Sequence, residues 1–104
     1  NMDIEEMQPF TPSQNQLYNK IIILQQKQRK SEQQVRSLIS KEKCLIARLM
    51  KAECEQKLHS MASLELKLLC ITETRSMFAE YWQQVEDEIQ SLCSSDLLLM
   101  QLLP

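Results

Sequence analysis

"KAECEQKLHS", residues 51–60, is where two hydrophobic patterns fail to join, and the path the chain takes through it decides the fold. Upstream, with Ile21 set as position a of a heptad, Ile21, Val35 and Leu49 fall at a, and Leu17, Leu24, Leu38, Leu45 and Ala52 fall at d. Gln28, Ser31 and Glu42 interrupt that seam as polar intruders. Downstream, with Met61 at a, Leu68, Trp82 and Ile89 recur at a, and Leu64, Ile71, Phe78, Val85 and Leu92 at d; only Arg75 is out of place. Leu49 and Met61, both at a, are twelve residues apart rather than fourteen, so the frames slip between Ala52 and Ser60. A coiled coil absorbs such a slip by a local change of winding, whereas a hairpin uses it as the bend.

Composition makes helix the only economical description of both patterns. The chain has no glycine, and its three prolines, Pro9, Pro12 and Pro104, sit at the ends. Turns and helix stops need those residues, so the long middle has few places to reverse. Leu, Gln, Glu, Lys, Ser and Met dominate, and most of these lose little rotamer freedom in a helix. The expected fold is all-α: a long helix in an antiparallel coiled coil or helical bundle, formed through oligomerisation because one helix cannot cover its own apolar stripe. The missing turn residues favour extended helices of about 120 Å over a hairpin bent near residues 52–60. Around the slip the apolar surface widens. Ile39 and Ile46 occupy e positions, and Met50, Leu58, Ala62, Leu66, Leu69 and Cys70 lie off the seam, which calls for three or four helices in cross-section.

Working outward, "QQKQRKSEQQ" (25–34) lacks any apolar side chain yet keeps the helical phase that resumes at Val35 and Leu38. It reads as the solvated part of a helix with Gln28 and Ser31 facing the seam, since a linker would be rich in Gly and Ser. Thr11, Pro12 and Gln14 form a capping box with a pre-set first turn. Residues 1–10 are an acidic lead-in whose Ile4, Met7 and Phe10 suit a helix surface. At the other end "CSSD" (93–96) offers a fresh N-cap before LLLMQLL. The expected segments are therefore 1–10, a coiled-coil helix over 11–93, and a short apolar helical segment over 94–104. The initial Asn and the apolar end suggest a piece of a longer protein.

Charge supplies direction. Residues 1–19 carry −3, residues 20–51 carry +7 and residues 52–104 carry −6, for a net −2. A parallel in-register pair stacks like on like, while antiparallel packing lays basic on acidic. Single exposed pairs are worth only about 0.3–0.5 kcal/mol, but a coherent block decides orientation where burial is indifferent to it. With a centre near residue 57, "KQRK" (27–30) faces "VEDE" (85–88), and Lys27 meets Glu88.

Residues that carry chemistry elsewhere read here as structural. His59 and Cys54 are five apart on a helix and point away from each other, too few and too divergent for zinc. Glu86, Asp87 and Glu88 lack the dry concave pocket that acid/base work needs. Glycine-rich phosphate loops are absent, so no enzyme, cofactor or metal is expected. Cys44, Cys54, Cys70 and Cys93 show no secreted disulfide spacing and no signal peptide precedes them, which points to cytoplasm or nucleus. No apolar run is long enough for a membrane span. The basic segment 20–51 is a lesser alternative, for nucleic acid, without interleaved aromatics. Leu99, Leu102 and Leu103 spell L-x-x-L-L, a helix pattern that docks in hydrophobic grooves, while Trp82, with Tyr81 and Phe78, reads as an interface anchor.

The expected function is a non-enzymatic oligomerisation module of a larger intracellular scaffold. Its partner is itself, as an antiparallel homodimer or homotetramer, or another coiled-coil protein. The interface is Leu17, Ile21, Leu24, Val35, Leu38, Leu45 and Leu49 against Met61, Leu64, Leu68, Ile71, Phe78, Trp82, Val85, Ile89 and Leu92. In composition the chain resembles, generically, coiled-coil segments of centrosomal, kinetochore, meiotic-chromosome and vesicle-tethering proteins. The alternative is a regulatory adaptor that docks Leu97 to Leu103 into a folded partner.

Overall fold

The computed structural model of the protein describes residues 11–94, Asp96 and Gln101. Two helices account for nearly all of this: α1, Pro12–Cys54, and α2, Leu58–Cys93. No strand occurs among the described residues, so the fold is all-α. At the start of α1 the Gln14 backbone N–H donates to Thr11 Oγ1 at 3.2 Å, and the Thr11 N–H donates to Gln14 Oε1 at 2.9 Å. Pro12 follows the cap at the position where its missing N–H costs nothing. The capping box read from the sequence is thus formed.

The helix expected over 11–93 is divided, because the slip is used as a bend. Glu55 ends α1, and Gln56 takes φ 55°, the left-handed region that lets a chain leave a helix sharply. Two backbone bonds close the motif: Gln56 N–H to the Glu53 carbonyl at 3.1 Å and Lys57 N–H to the Ala52 carbonyl at 3.0 Å. They satisfy carbonyls that the helix end would leave without partners. Lys57 Nζ also meets Glu55 Oε2 at 2.8 Å. The preference for extended helices rested on the absence of glycine, and glutamine does glycine's work here. A side chain in the left-handed region costs roughly 1–2 kcal/mol, while glycine's freer unfolded chain costs only about 0.5–1 kcal/mol. Gln56→Gly is therefore expected to raise stability by about 0.5–1 kcal/mol, seen as a higher urea midpoint with unchanged slope. A lower midpoint contradicts this account of the bend.

After the bend α2 lies back along α1 in the opposite direction. Ile21 and Leu24 pack with Val85, Ile89 and Cys93 at the open end, flanked by Leu17, Tyr18 and Leu92. Near the bend Leu45, Ala52 and Leu64 form a second cluster with Leu49, Met61, Leu68 and Ile71 around it. Between the clusters the seam mixes buried Gln28 and Ser31 with buried Leu38 and half-buried Val35, Phe78 and Trp82. The hairpin measures 75 × 27 × 15 Å, shorter than the extended helices expected. Two helices cross each section of the described chain, where three or four were expected near the bend.

Candidate interaction surfaces

All sixteen residues named from the sequence as an oligomer interface are buried or half-buried, and they meet within one chain. Ala52 and Cys93 join them in the core, Cys93 at 4% exposure. Cys93 was missed because it stands at e of its heptad. Thr72 and Glu86, also at e, turn partly inward, but Leu58, Glu65 and Ala79 at the same position are exposed, so the heptad alone did not mark Cys93. Leu99, Leu102 and Leu103 lie outside the described residues.

Gln28, Glu42 and Arg75, three of the polar intruders, find polar partners across the hairpin. Gln28 Nε2 donates to Glu86 Oε2 at 2.7 Å and reaches the Trp82 carbonyl at 3.4 Å. Trp82 Nε1 donates to Glu32 Oε1 at 2.9 Å, so the anchor indole is satisfied inside the hairpin. Glu42, the acid in the basic half, takes the Arg75 Nε–H on one oxygen and the Thr72 hydroxyl, at 2.9 Å, on the other. The side chains of Arg75 and Glu42 are 31% and 14% exposed, which makes this the least solvated ion pair among the described residues. Burial by itself raises the Glu42 carboxyl, but the bonds from Thr72 and Arg75 and the arginine's charge overcome it and hold it below its ordinary value. Hydrogen bonds from Gln28 and Gln90 hold Glu86 low as well, against a smaller effect of burial.

The block charges meet as expected in sense but not in detail. Glu88 pairs with Lys20 at 3.8 Å, not with Lys27. Lys20 and Glu88 both stand at g, on the same side of the hairpin, whereas Lys27 opens onto a groove further along. The other described ion pairs are Arg36 with Glu32 and Lys51 with Glu55, each along one helix at 4.0 Å, and Lys57 with Glu55 at the bend.

The seam divides the hairpin surface into two unlike sides. On the side of positions g and c, one hollow of about 500 Å³ is lined by Lys27, Lys30, Gln34, Met77, Phe78 and Tyr81 among others. A second, of about 530 Å³, is lined by Lys41, Arg48, Leu66, Lys67, Cys70 and Ile71 with their neighbours. On the side of positions e and b, Glu32, Val35, Arg36, Ala79 and Trp82 frame a smaller hollow of about 260 Å³. Toward the bend, that second side carries Ile39, Ile46, Met50, Leu58 and Leu69, all exposed.

Among the described residues no cluster of three or more His, Cys, Asp or Glu is arranged to hold a metal. Cys44, Cys54 and Cys70 are exposed thiols, while burial, and then the nearby Glu86 charge, push the Cys93 thiol up. No helix is long and apolar enough to cross a membrane among the described residues. Comparison with protein-family profiles, with curated proteins and with solved structures returned no match.

Proposed function

We propose that this chain is a non-enzymatic structural module, a helical hairpin that self-associates within a larger scaffold. The observation that carries the reading is the apolar stripe left over near the bend. Ile39, Ile46 and Met50 on α1 are 37%, 44% and 61% exposed, and Leu58 and Leu69 on α2 are 77% and 55% exposed. Their e and b positions put all five on one side of the seam. Single exposed apolar residues are ordinary, but a contiguous set of large ones marks a contact surface. A second hairpin laid across this stripe gives the four helices that the broad apolar pattern calls for. Three exposed thiols suit a reducing compartment, so cytoplasm or nucleus belongs to the same proposal.

Multi-angle light scattering tests it. The expected mass is twice the 12.2 kDa of the chain. Ile46→Glu combined with Leu69→Glu is expected to weaken association at least tenfold, about 1.4 kcal/mol, with helical content by circular dichroism unchanged because both side chains are exposed. A monomeric wild-type chain at roughly 100 μM, which is weaker than a micromolar affinity, or a double variant that associates as well as wild type, overturns the proposal.

A further inference from the structure

We propose that the g and c side of the hairpin is a docking surface for an acidic amphipathic helix of a partner protein. It lies on the face opposite the self-association stripe and does not depend on it. Two features of that side argue for this occupant, its apolar hollows and its uncompensated cations. The first hollow is floored by Met77, Phe78 and Tyr81, with Met77 68% exposed; the second holds Leu66 at 63%. Along the same side α1 presents Lys27, Lys30, Lys41 and Arg48 and α2 presents Lys67, none of them in a described ion pair, while Lys51 is paired with Glu55. No carboxylate occupies a g or c position of α1 from Lys27 onward or of α2 as far as Gln84. Glu42 and Glu65 each adjoin the second hollow in sequence: Glu42 is turned to the seam by Arg75, and Glu65 stands at e, on the other side. A row of cations flanking apolar hollows complements a helix with glutamates or aspartates at its edges and leucine-sized anchors along its centre.

Spacing narrows the occupant. On α1 the first hollow spans Lys27 to Gln34 and the second Lys41 to Arg48, equivalent positions fourteen residues apart. At about 1.5 Å per residue that is roughly 21 Å, or four helical turns. The partner helix must therefore carry two apolar anchors about four turns apart. Among the described residues a second copy offers no such pair outside the hollows themselves: the exposed large apolar residues nearest that spacing, Leu66 and Tyr81, are fifteen apart and line the hollows. A nucleic-acid backbone would answer the lysines but leave Met77 and Leu66 uncovered, so the hollows favour protein.

The probe is a fluorescent helical peptide of about twenty residues with leucine pairs about four turns apart and glutamates along both edges. Its counterpart carries lysine in place of every glutamate. Binding to the full chain is followed by anisotropy at about 0.15 M salt. Saturable binding of the acidic peptide, and none of the basic one, is expected. Affinity should fall at least tenfold in Lys27→Glu with Lys30→Glu, and separately in Met77→Ser, while Ile46→Glu with Leu69→Glu leaves it unchanged. All these side chains are exposed, and circular dichroism verifies that each variant is folded. Equal binding of the basic peptide, or undiminished affinity in the groove variants, overturns the proposal. So does tight binding of a duplex of about twenty base pairs where the acidic peptide fails. Loss of self-association in the lysine variants overturns it too, since a second copy would then be the occupant.

Discussion

Leu64→Ala is expected to destabilise the whole hairpin, whereas Ile21→Ala, at the most completely buried side chain, is expected to melt only the open half. Either change removes a buried branched chain and costs about 2–5 kcal/mol, against a total near 0.05–0.15 kcal/mol per residue. What differs is the chain that must be closed before each cluster forms. Leu45 and Leu64 are separated by 19 residues, Ile21 and Ile89 by 68. Each doubling of a closed loop adds about 0.6 kcal/mol, so the open-end cluster standing alone bears roughly 1 kcal/mol more. Between the clusters Leu38 is the one buried apolar side chain among the described residues, with Val35, Phe78 and Trp82 half-buried and Gln28 and Ser31 polar, so the coupling there is weaker than within either cluster. The bend cluster therefore stands without the open end, but the open end does not stand without the bend. Native-state amide exchange reads this directly. In Ile21→Ala the amides of 16–28 and 82–93 should lose protection while those of 45–71 keep theirs. In Leu64→Ala both sets should accelerate together, by about 30-fold or more for 2 kcal/mol or above. Equal acceleration of both sets in Ile21→Ala contradicts the two-cluster architecture.

The seam was legible in the sequence because leucine and isoleucine at heptad spacing leave a helix little choice of inner face. The frame slip was equally legible, and so was the mirror point. Gln28 with Glu86, Glu32 with Trp82 and Glu42 with Thr72 are each symmetric about residue 57, where block charge placed the centre. The form of the turn was not legible. Glycine announces a left-handed position by its identity, but Gln56 has no such preference and sits there because packing on both sides of the bend repays the strain. Gln28, Glu42 and Arg75 read as defects for a related reason: each looks unfavourable alone, and only the register of the hairpin supplies its partner. Self-pairing also changes what seam substitutions do. Ile71 and Phe78 are half-buried against the chain's own α1, so a glutamate at either acts first on folding, and the side chains proposed to govern association lie off the seam.

Removing the arginine from the Glu42–Arg75 pair should weaken that pair's pH dependence. In the native hairpin Glu42 titrates below its ordinary value of 4.5. A carboxyl depressed on folding contributes stability that is complete above its unfolded value and is lost as pH falls through the folded one. Burial is the largest single influence on Glu42 and acts upward; Thr72 and Arg75 together outweigh it. With Arg75→Met only the Thr72 hydroxyl still opposes burial, so the folded value moves up toward the unfolded one and the stability this group contributes above its unfolded value shrinks. Glu86 keeps its own acid loss in both proteins, so the informative quantity is the difference between variant and wild type. Urea unfolding from about pH 3 to pH 7, spanning the carboxylate range, should show Arg75→Met falling further behind wild type as pH increases. Glu42→Leu with Arg75→Leu should recover wild-type stability at neutral pH, because a well-packed apolar pair carries no desolvation cost. Its stability should also show less acid loss than wild type. Parallel pH profiles for wild type and Arg75→Met would mean that solvent, not the arginine, sets the Glu42 carboxyl.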